Sequence, residues 1–380
     1  MRRLDVIRPW LGQEEIDAVS EVLRSGWVAQ GPRVAEFEAR FAEQQEAAHA
    51  VATTSCTTAL HLAMVVAGVG PGDDVVVPSL SFVATANAPT YVGARPVFAE
   101  VDPVTGCVTA ETVAAALTDR TTAVIVVDQA GVPVDLDAIR AVCDPRGVVV
   151  VEDAACAVGS TYRGRPVGAG AEIAAWSFHP RKVLTTGEGG MLTTSRADWA
   201  ERARRLREHA MSASAAARHT QLLAPQEQYD EVGFNFRMTD LQAAVGIVQL
   251  GRLPEVVVRR RSLAKAYDQV ISGIAGLRPV RDPDWGLSNF QSYWVQVLPE
   301  YPTDREGLLA ALARADISAR RGIMASHLQP AHADARPHPP LPVTEELTAT
   351  TLVLPLFHEL TAEDQARVTD VLAAPAGGPP

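Results

Sequence analysis

Between residues 75 and 194, short apolar runs alternate with stretches of helical spacing. The runs at 75–78, 95–98, 122–127 and 148–151 are apolar at neighbouring positions, not only at every second one. Such runs suit strands buried on both faces of a parallel sheet. Helical patterns at 56–68, 110–118 and 135–143 fall between them, which predicts an α/β fold. A short strand at 50–52 precedes this region. Two further strands, 174–178 and 190–194, flank a loop rich in Ser, Thr and Gly.

Upstream, residues 13–24 and 33–49 have the spacing of amphipathic helices, separated by a loop at 25–32 that carries Trp27. Downstream, an Arg-rich helix is predicted at 197–209 and a long helical stretch from 240. A strand at 292–297 and helices at 304–314 and 362–372 follow. The alternation weakens near residue 250, which predicts a large domain over 1–250 and a smaller one over 251–380. The tail at 373–380 is expected to fray.

Composition narrows the class. The chain has 380 residues, 47% of them hydrophobic and 21% charged, as in a two-domain soluble protein. No apolar run of about 18 residues predicts a membrane span, and no secretory h-region follows the first residues. The cysteines, Cys56, Cys107, Cys143 and Cys156, are scattered without C-x-x-C spacing, as expected of a reduced cytoplasmic protein. A net charge of −11 argues against nucleic acid as a partner.

Chemistry enters with lysine. Of 34 basic residues only Lys182 and Lys265 are lysines. An amine can lose its proton and attack a carbonyl; a guanidinium stays protonated. Lys265 sits in an amphipathic helical pattern and reads as a surface charge. Lys182 follows the apolar strand Trp176-Ser177-Phe178 and enters a polar loop. In an open parallel sheet, ligands gather at the carboxyl ends of strands. Glu152-Asp153 and Asp128-Gln129 stand at such ends, as does Ser177. Thr54-Ser55-Cys56-Thr57-Thr58 opens a helix, where free N–H groups and the helix dipole suit a phosphate. Each feature alone has an ordinary structural reading. Together they ask for one ligand with a phosphate, an aldehyde for Lys182 and a basic ring nitrogen for Asp153. Pyridoxal phosphate has all three.

The segments Ser177-Phe178-His179-Pro180-Arg181-Lys182, Thr185-Thr186-Gly187-Glu188-Gly189-Gly190, Glu152-Asp153-Ala154-Ala155 and Gly233-Phe234-Asn235-Phe236-Arg237-Met238-Thr239-Asp240 resemble the DegT/DnrJ/EryC1/StrS family of pyridoxal-phosphate-dependent sugar aminotransferases. The resemblance covers about residues 5–372. It implies the aspartate aminotransferase fold (fold type I), with a large, mostly parallel seven-stranded sheet and a smaller C-terminal α/β domain. It also implies a homodimer with active sites at the subunit interface. By the same resemblance Lys182 forms the Schiff base and shuttles protons, and Asp153 pairs with the pyridine nitrogen. Phe82 stacks on the ring. Thr57, the Thr58 backbone and Ser177 hold the phosphate, and Asn235 reaches the phosphate of the partner subunit. Trp27 and His327 border the substrate. The implied reaction is ping-pong transfer of an amino group from L-glutamate to a nucleotide-linked keto-sugar.

Two departures stand out. Cys156 replaces a Gln or His that helps hold the cofactor, and Cys56 interrupts a common Ser-Gly-Thr. A thiol hydrogen-bonds poorly, so the resemblance carries over least well at Cys156. The loop holding His327, His332 and His338 reads as a solvated loop in preference to a zinc site. Other readings stay open: a keto-cyclitol or amino-acid-derived substrate, and a non-catalytic sensor on the same fold. A sugar dehydratase is disfavoured because Lys182 is not the histidine of that branch. A nicotinamide dehydrogenase is disfavoured because no G-x-G-x-x-G follows the first strand.

Overall fold

The computed structural model describes residues 2–212, 226–333 and 339–374. The amino-terminal half contains α1 (Gln13–Ser25), α2 (Pro32–Gln44), β1 (His49–Thr53), α3 (Cys56–Val66), β2 (Asp74–Pro78), α4 (Val83–Tyr91), β3 (Arg95–Ala99), α5 (Ala110–Ala116), β4 (Thr121–Val127), α6 (Leu136–Cys143) and β5 (Val149–Asp153). The short β6 (Thr161–Tyr162) and β7 (Arg165–Pro166) follow, then β8 (Ile173–Ser177), β9 (Gly190–Thr194) and α7 (Ala197–Leu206). Seven strands form one sheet in the order β1-β9-β8-β5-β4-β2-β3. Five of them, β8 to β3, run parallel, and β9 is antiparallel to both its neighbours. This is the α/β architecture that the sequence predicts.

Side chains alternate across each strand, and both faces of this sheet are dry. Val75, Val77, Ile125, Val151, Ile173 and Ala175 pack with α3 and α7 on one side. Val76, Val124, Val126, Val150, Ala174 and Trp176 pack on the other with α2, α5 and α6. There, Phe37 and Phe41 of α2 meet Trp176 and Phe178 at ring separations of 5.2–5.4 Å. With Trp176 and Phe178 fixed on that side, the intervening Ser177 turns toward α3.

After α7, a helix runs unbroken from Asp240 to Ile271 with Pro254 inside it. Position 250, where the sequence pattern weakens, lies within it. By length and composition this helix is apolar enough to cross a membrane. Its inner residues nonetheless lie in the core with α2, Phe37 and Phe41 among them. A four-stranded antiparallel sheet follows, from β10 (Leu277–Pro279), β12 (Tyr293–Val297), β13 (Arg320–Arg321) and β14 (Thr351–Leu354), in the order β10-β12-β14-β13. The short β11 (Gly286–Leu287) pairs instead with β6. Helices Arg305–Arg314, Pro342–Thr350 and Ala362–Ala373 complete this half. Residues 4–6 of the amino terminus join it as well: Leu4 bridges to Ile317, and Val6 O accepts from Leu356 N.

Two helix ends and one whole helix differ from the periodicity. The helix expected at 33–49 stops at Gln44, because Glu46 takes a positive φ of 49° and His49 starts β1. The helix expected at 197–209 stops at Leu206, before positive φ at His209 and Ala210. The helix α4 was not expected. Its Ala, Thr and Asn residues give no apolar stripe, and Pro89 interrupts the pattern. Of the tail, Pro375 to Pro380 lies outside the described residues.

Removing one of the α2 rings tests this packing. Phe41→Ala is expected to cost about 3–5 kcal/mol, the usual range for a buried phenylalanine, read as a lower urea midpoint at unchanged m. A loss below about 1 kcal/mol would show that α2 is not locked to β8 as described.

Candidate active site

The site is built by strand register. Gly190, the first residue of β9, pairs with Thr53 at the end of β1 and with Ser177 at the end of β8. Asp153 ends the adjacent β5. Four strand ends therefore open on one rim. A side chain on Gly190 would place Cβ within 2.3–2.5 Å of the Ser55–Cys56 peptide. Its absence lets the first turn of α3 lie directly against the rim. Ser55 caps that helix by accepting from Thr58 N at 3.2 Å. The Thr58 N–H is thus occupied, whereas those of Cys56 and Thr57 have no acceptor among the described residues.

Asp153 is almost fully buried and turns to the α3–α4 side. Its Oδ2 accepts from Thr85 Oγ1 at 2.7 Å, and its Oδ1 accepts from Ala155 N at 3.2 Å. Cys56 Sγ lies 3.9 Å from Oδ1. An ionised carboxylate has no proton to give, so Thr85 donates to it and Ser81 Oγ, 2.8 Å away, donates to Thr85. Burial raises the Asp153 pKa, while Thr85, the Ala155 amide, Lys182 and Cys56 pull it back.

Lys182 leaves the loop after β8 and directs Nζ to Cys156 Sγ at 3.1 Å. Burial acts to lower its pKa, but the hydrogen bond to Cys156 and the nearby Asp153 outweigh this and the net shift is upward. Burial, followed by the Asp153 charge, pushes the Cys56 thiol well above its ordinary value, so at neutral pH it contributes no negative charge. One segment of the second half fastens both loops. Asn289 Nδ2 donates to Cys156 O and Val158 O, each at 2.8 Å, and Gln291 Oε1 accepts from Val183 N at 2.8 Å. Gln291 Nε2 also donates to Arg181 O.

Around this centre, Phe82 projects from the N-terminus of α4 with 64% of its surface exposed, an unusual position for a phenylalanine without a ligand to cover it. His327 anchors to the same loop: its Nδ1 is 2.5 Å from Ser79 Oγ, and the neighbouring Ser326 Oγ donates to Ser81 O. The expectation of a solvated histidine loop is corrected here. The His327 side chain is 5% exposed, and the buried His332 contacts Asn87 Oδ1 at 3.1 Å. Apolar cover from Phe98 keeps both rings out of solvent. His338 lies outside the described residues. Lys182, Asp153, Cys156, Ser177, Thr57, Thr58 and Phe82 thus share one rim. Trp27 does not join them; its Nε1 donates to Gln30 O within its own loop. Asn235 is exposed and bridges to Glu208, while the next residue, Phe236, accepts from Thr54 N through its carbonyl.

Thr85, Asn289, Gln291 and the pair Asp128–Glu152 are the functional neighbours that sequence reasoning did not single out in these roles. Asp128, just past β4, and Glu152, next to last in the adjacent β5, lie on the opposite face of the sheet from Asp153. Asp128 Oδ2 and Glu152 Oε2 are both buried and find no donor among the described residues. One proton shared between the carboxyls satisfies this geometry. Burial raises both groups, Glu152 to about 7.

The orphaned N–H groups, the amine, the buried carboxylate and the exposed ring fit a phosphorylated pyridine aldehyde. The sequence profile of the DegT/DnrJ/EryC1/StrS aminotransferase family matches residues 9–373. Among solved structures, the chain is similar to the aminotransferase TlmJ from Streptoalloteichus hindustanus, at 39% identity and a TM-score of 0.90 over 97% of this chain and 98% of that one. It is 32% identical to DesI, solved in the presence of its TDP-sugar product, with a TM-score of 0.89 over 98% and 93% of the two chains. Spr1654 from Streptococcus pneumoniae, solved in PLP and PMP forms, is 26% and 27% identical, with TM-scores of 0.90 and 0.91 over 98% of each chain.

Two outcomes are expected. Thr85→Val removes a hydrogen bond to a charged group, usually about 1.5–3 kcal/mol, and is expected to weaken pyridoxal phosphate retention about tenfold or more in equilibrium dialysis. Thr85→Ser is expected to restore it; equal retention in all three proteins would dismiss Thr85 as a positioning residue. The second concerns pH. Glu152 holds its proton up to about pH 7 in the folded chain, whereas an unfolded glutamate loses it near pH 4.3. The stability this contributes is present at pH 4 and lost as pH rises through 7. Glu152→Gln is therefore expected to flatten the urea-measured decline between pH 5 and 8, a difference on the order of 2–3 kcal/mol. An unchanged slope would show that the pair carries no excess proton.

Proposed function

Because the chain belongs to the DegT/DnrJ/EryC1/StrS aminotransferase family and is thereby a pyridoxal-phosphate-dependent aminotransferase, we propose that it transfers the amino group of L-glutamate to a nucleotide-linked keto-sugar. The exchange is ping-pong: the donor leaves as a keto acid before the acceptor is aminated. The observation that carries this reading is the convergence of Lys182, Asp153 and the Cys56–Thr57 amides on a single rim. The acceptor class is supported by DesI, whose TDP-sugar product accompanies a chain of the same fold.

The bound cofactor supplies the electrophilic aldehyde and the electron sink that acidifies the donor's α-carbon. Asp153, as carboxylate, holds the proton on the ring nitrogen and so keeps that sink strong. Thr85 and Ser81 keep Asp153 ionised despite its burial. Lys182 Nζ takes the proton from the donor's α-carbon and returns one during the reverse half-reaction. Ser177, Thr57 and the free amides at the start of α3 hold the phosphate, and Phe82 covers the ring. His327 borders the acceptor. Asn235, exposed in its own chain, serves the phosphate of a second copy. In this reading the working unit is a homodimer, and the scattered cysteines support a cytoplasmic location.

Purified protein is expected to show a visible absorption band of the bound cofactor that bleaches with L-glutamate and returns with the correct keto-sugar nucleotide. Mass spectrometry then reads the aminated product. Lys182→Ala is expected to lower turnover by at least about 10³-fold, the scale of losing a nucleophile that is also the general base. Turnover by that variant at the parent rate would exclude the mechanism. Amination of free keto acids or cyclitols, with no keto-sugar nucleotide used, would exclude the acceptor class.

A further inference from the structure

Cys156 and Lys182 form an amine–thiol pair with Nζ 3.1 Å from Sγ. Both side chains are partly exposed, so a small solute can reach them. Their backbones are held by one element: Asn289 grips the carbonyl of Cys156, and Gln291 grips the residues on each side of Lys182. The pair therefore stays in register when either side chain changes its chemistry. Cys107 and Cys143 are buried and have no amine beside them among the described contacts.

We propose that Cys156 is a site of oxidative modification by hydroperoxides, and that its oxidised form closes a reversible sulfur–nitrogen cross-link onto Lys182. In the first step the Cys156 sulfur takes one oxygen from the peroxide, giving a sulfenic acid and an alcohol or water. In the second step the neutral Lys182 amine attacks that sulfur. The S–N bond forms, the S–O bond breaks, and the oxygen leaves as water with one proton from nitrogen and its own. Two equivalents of a small thiol reverse the link, returning thiol and amine and yielding one disulfide.

The surroundings favour the second step. The hydrogen bond from Nζ to the Cys156 sulfur helps keep the Lys182 amine protonated. Oxidation of the sulfur alters that contact, and desolvation then favours the neutral, nucleophilic amine. A cross-linked Lys182 has no free nitrogen for the cofactor, so peroxide switches the enzyme off. Only this consequence rests on the proposed role of Lys182; the cross-link rests on the position of two side chains.

The test uses the protein as purified and the same protein exchanged into pyridoxamine phosphate, which leaves the lysine nitrogen free. Each is treated with hydrogen peroxide, digested and mapped by mass spectrometry. The expected product joins the Cys156 and Lys182 peptides with a mass two hydrogens below their sum. It is expected to be several-fold more abundant in the pyridoxamine phosphate sample and to disappear on treatment with dithiothreitol. Cys56→Ala is expected to retain it and Cys156→Ala to lose it. A Cys56–Cys156 disulfide would overturn the proposal, as would a sulfinic acid at Cys156 with Lys182 unmodified. A chain that cross-links but transfers no amino group would refute the proposed function and leave this inference standing.

Discussion

A carboxylate buried at the end of a β-strand sets the terms for the rest of this site. Moving an isolated carboxylate out of water is prohibitive, so a buried one either takes up a proton or gathers donors. Asp153 gathers donors from two parts of the chain, Thr85 from α4 and the Ala155 amide from its own loop, and the positive charge of Lys182 stands nearby. Behind Thr85 stands Ser81, whose backbone carbonyl is held by Ser326 of the second half. A chain of hydrogen bonds thus runs from the histidine loop to the carboxylate. Loosening any link lets Asp153 move toward its neutral form, which is the wrong state to hold a pyridinium.

The sheet separates two kinds of acid by a one-residue alternation. Asp153 faces the site, where donors keep it ionised. Glu152, its neighbour in sequence, faces the other side beside Asp128, where each carboxyl keeps one oxygen without a donor. Burial raises both acids, but donors stand opposite Asp153 and pull it back, whereas another carboxyl stands beside Glu152. The reversed strand β9 serves the same economy of position. It brings Gly190 to the rim between Thr53 and Ser177, and the missing Cβ admits the helix start that completes the phosphate cradle.

Much of this was legible in the sequence because it is local. The strands at 75–78, 122–127 and 190–194 announce themselves by apolar runs, and Lys182 by its rarity and its polar loop. The Ser55–Thr58 cap is a matter of residue types three positions apart. What the sequence hid is held by long-range contacts. Thr85 sits in a helix without an amphipathic stripe, and nothing nearby marks it as the partner of an aspartate 68 positions away. Asn289 and Gln291 look like ordinary polar residues before a strand. The burial of His327 and His332 depends on Phe98, so a loop rich in His and Pro resembled a solvated one until the ring beneath it was in view.

The segment 289–291 is itself held in a costly way. Arg260, on the long helix, is buried with 3% exposure, and the acceptors found for its guanidinium are two carbonyls: Nε donates to Phe290 O at 2.9 Å and the terminal nitrogen to Gln291 O at 2.8 Å. Burial lowers its pKa to about 10. A neutral side chain would avoid that desolvation, but a planar fork of donors can hold two successive carbonyls at once. The need is local, because Phe290 takes a positive φ of 50° and exposes those carbonyls in a bend that no strand or helix satisfies. That bend aims Asn289 at the Cys156 loop and Gln291 at the Lys182 loop. An arginine some 80 residues beyond the active lysine thereby fixes where the lysine's backbone lies. The reactive amine belongs to the large sheet by sequence, yet its position is set by the half of the chain that follows it.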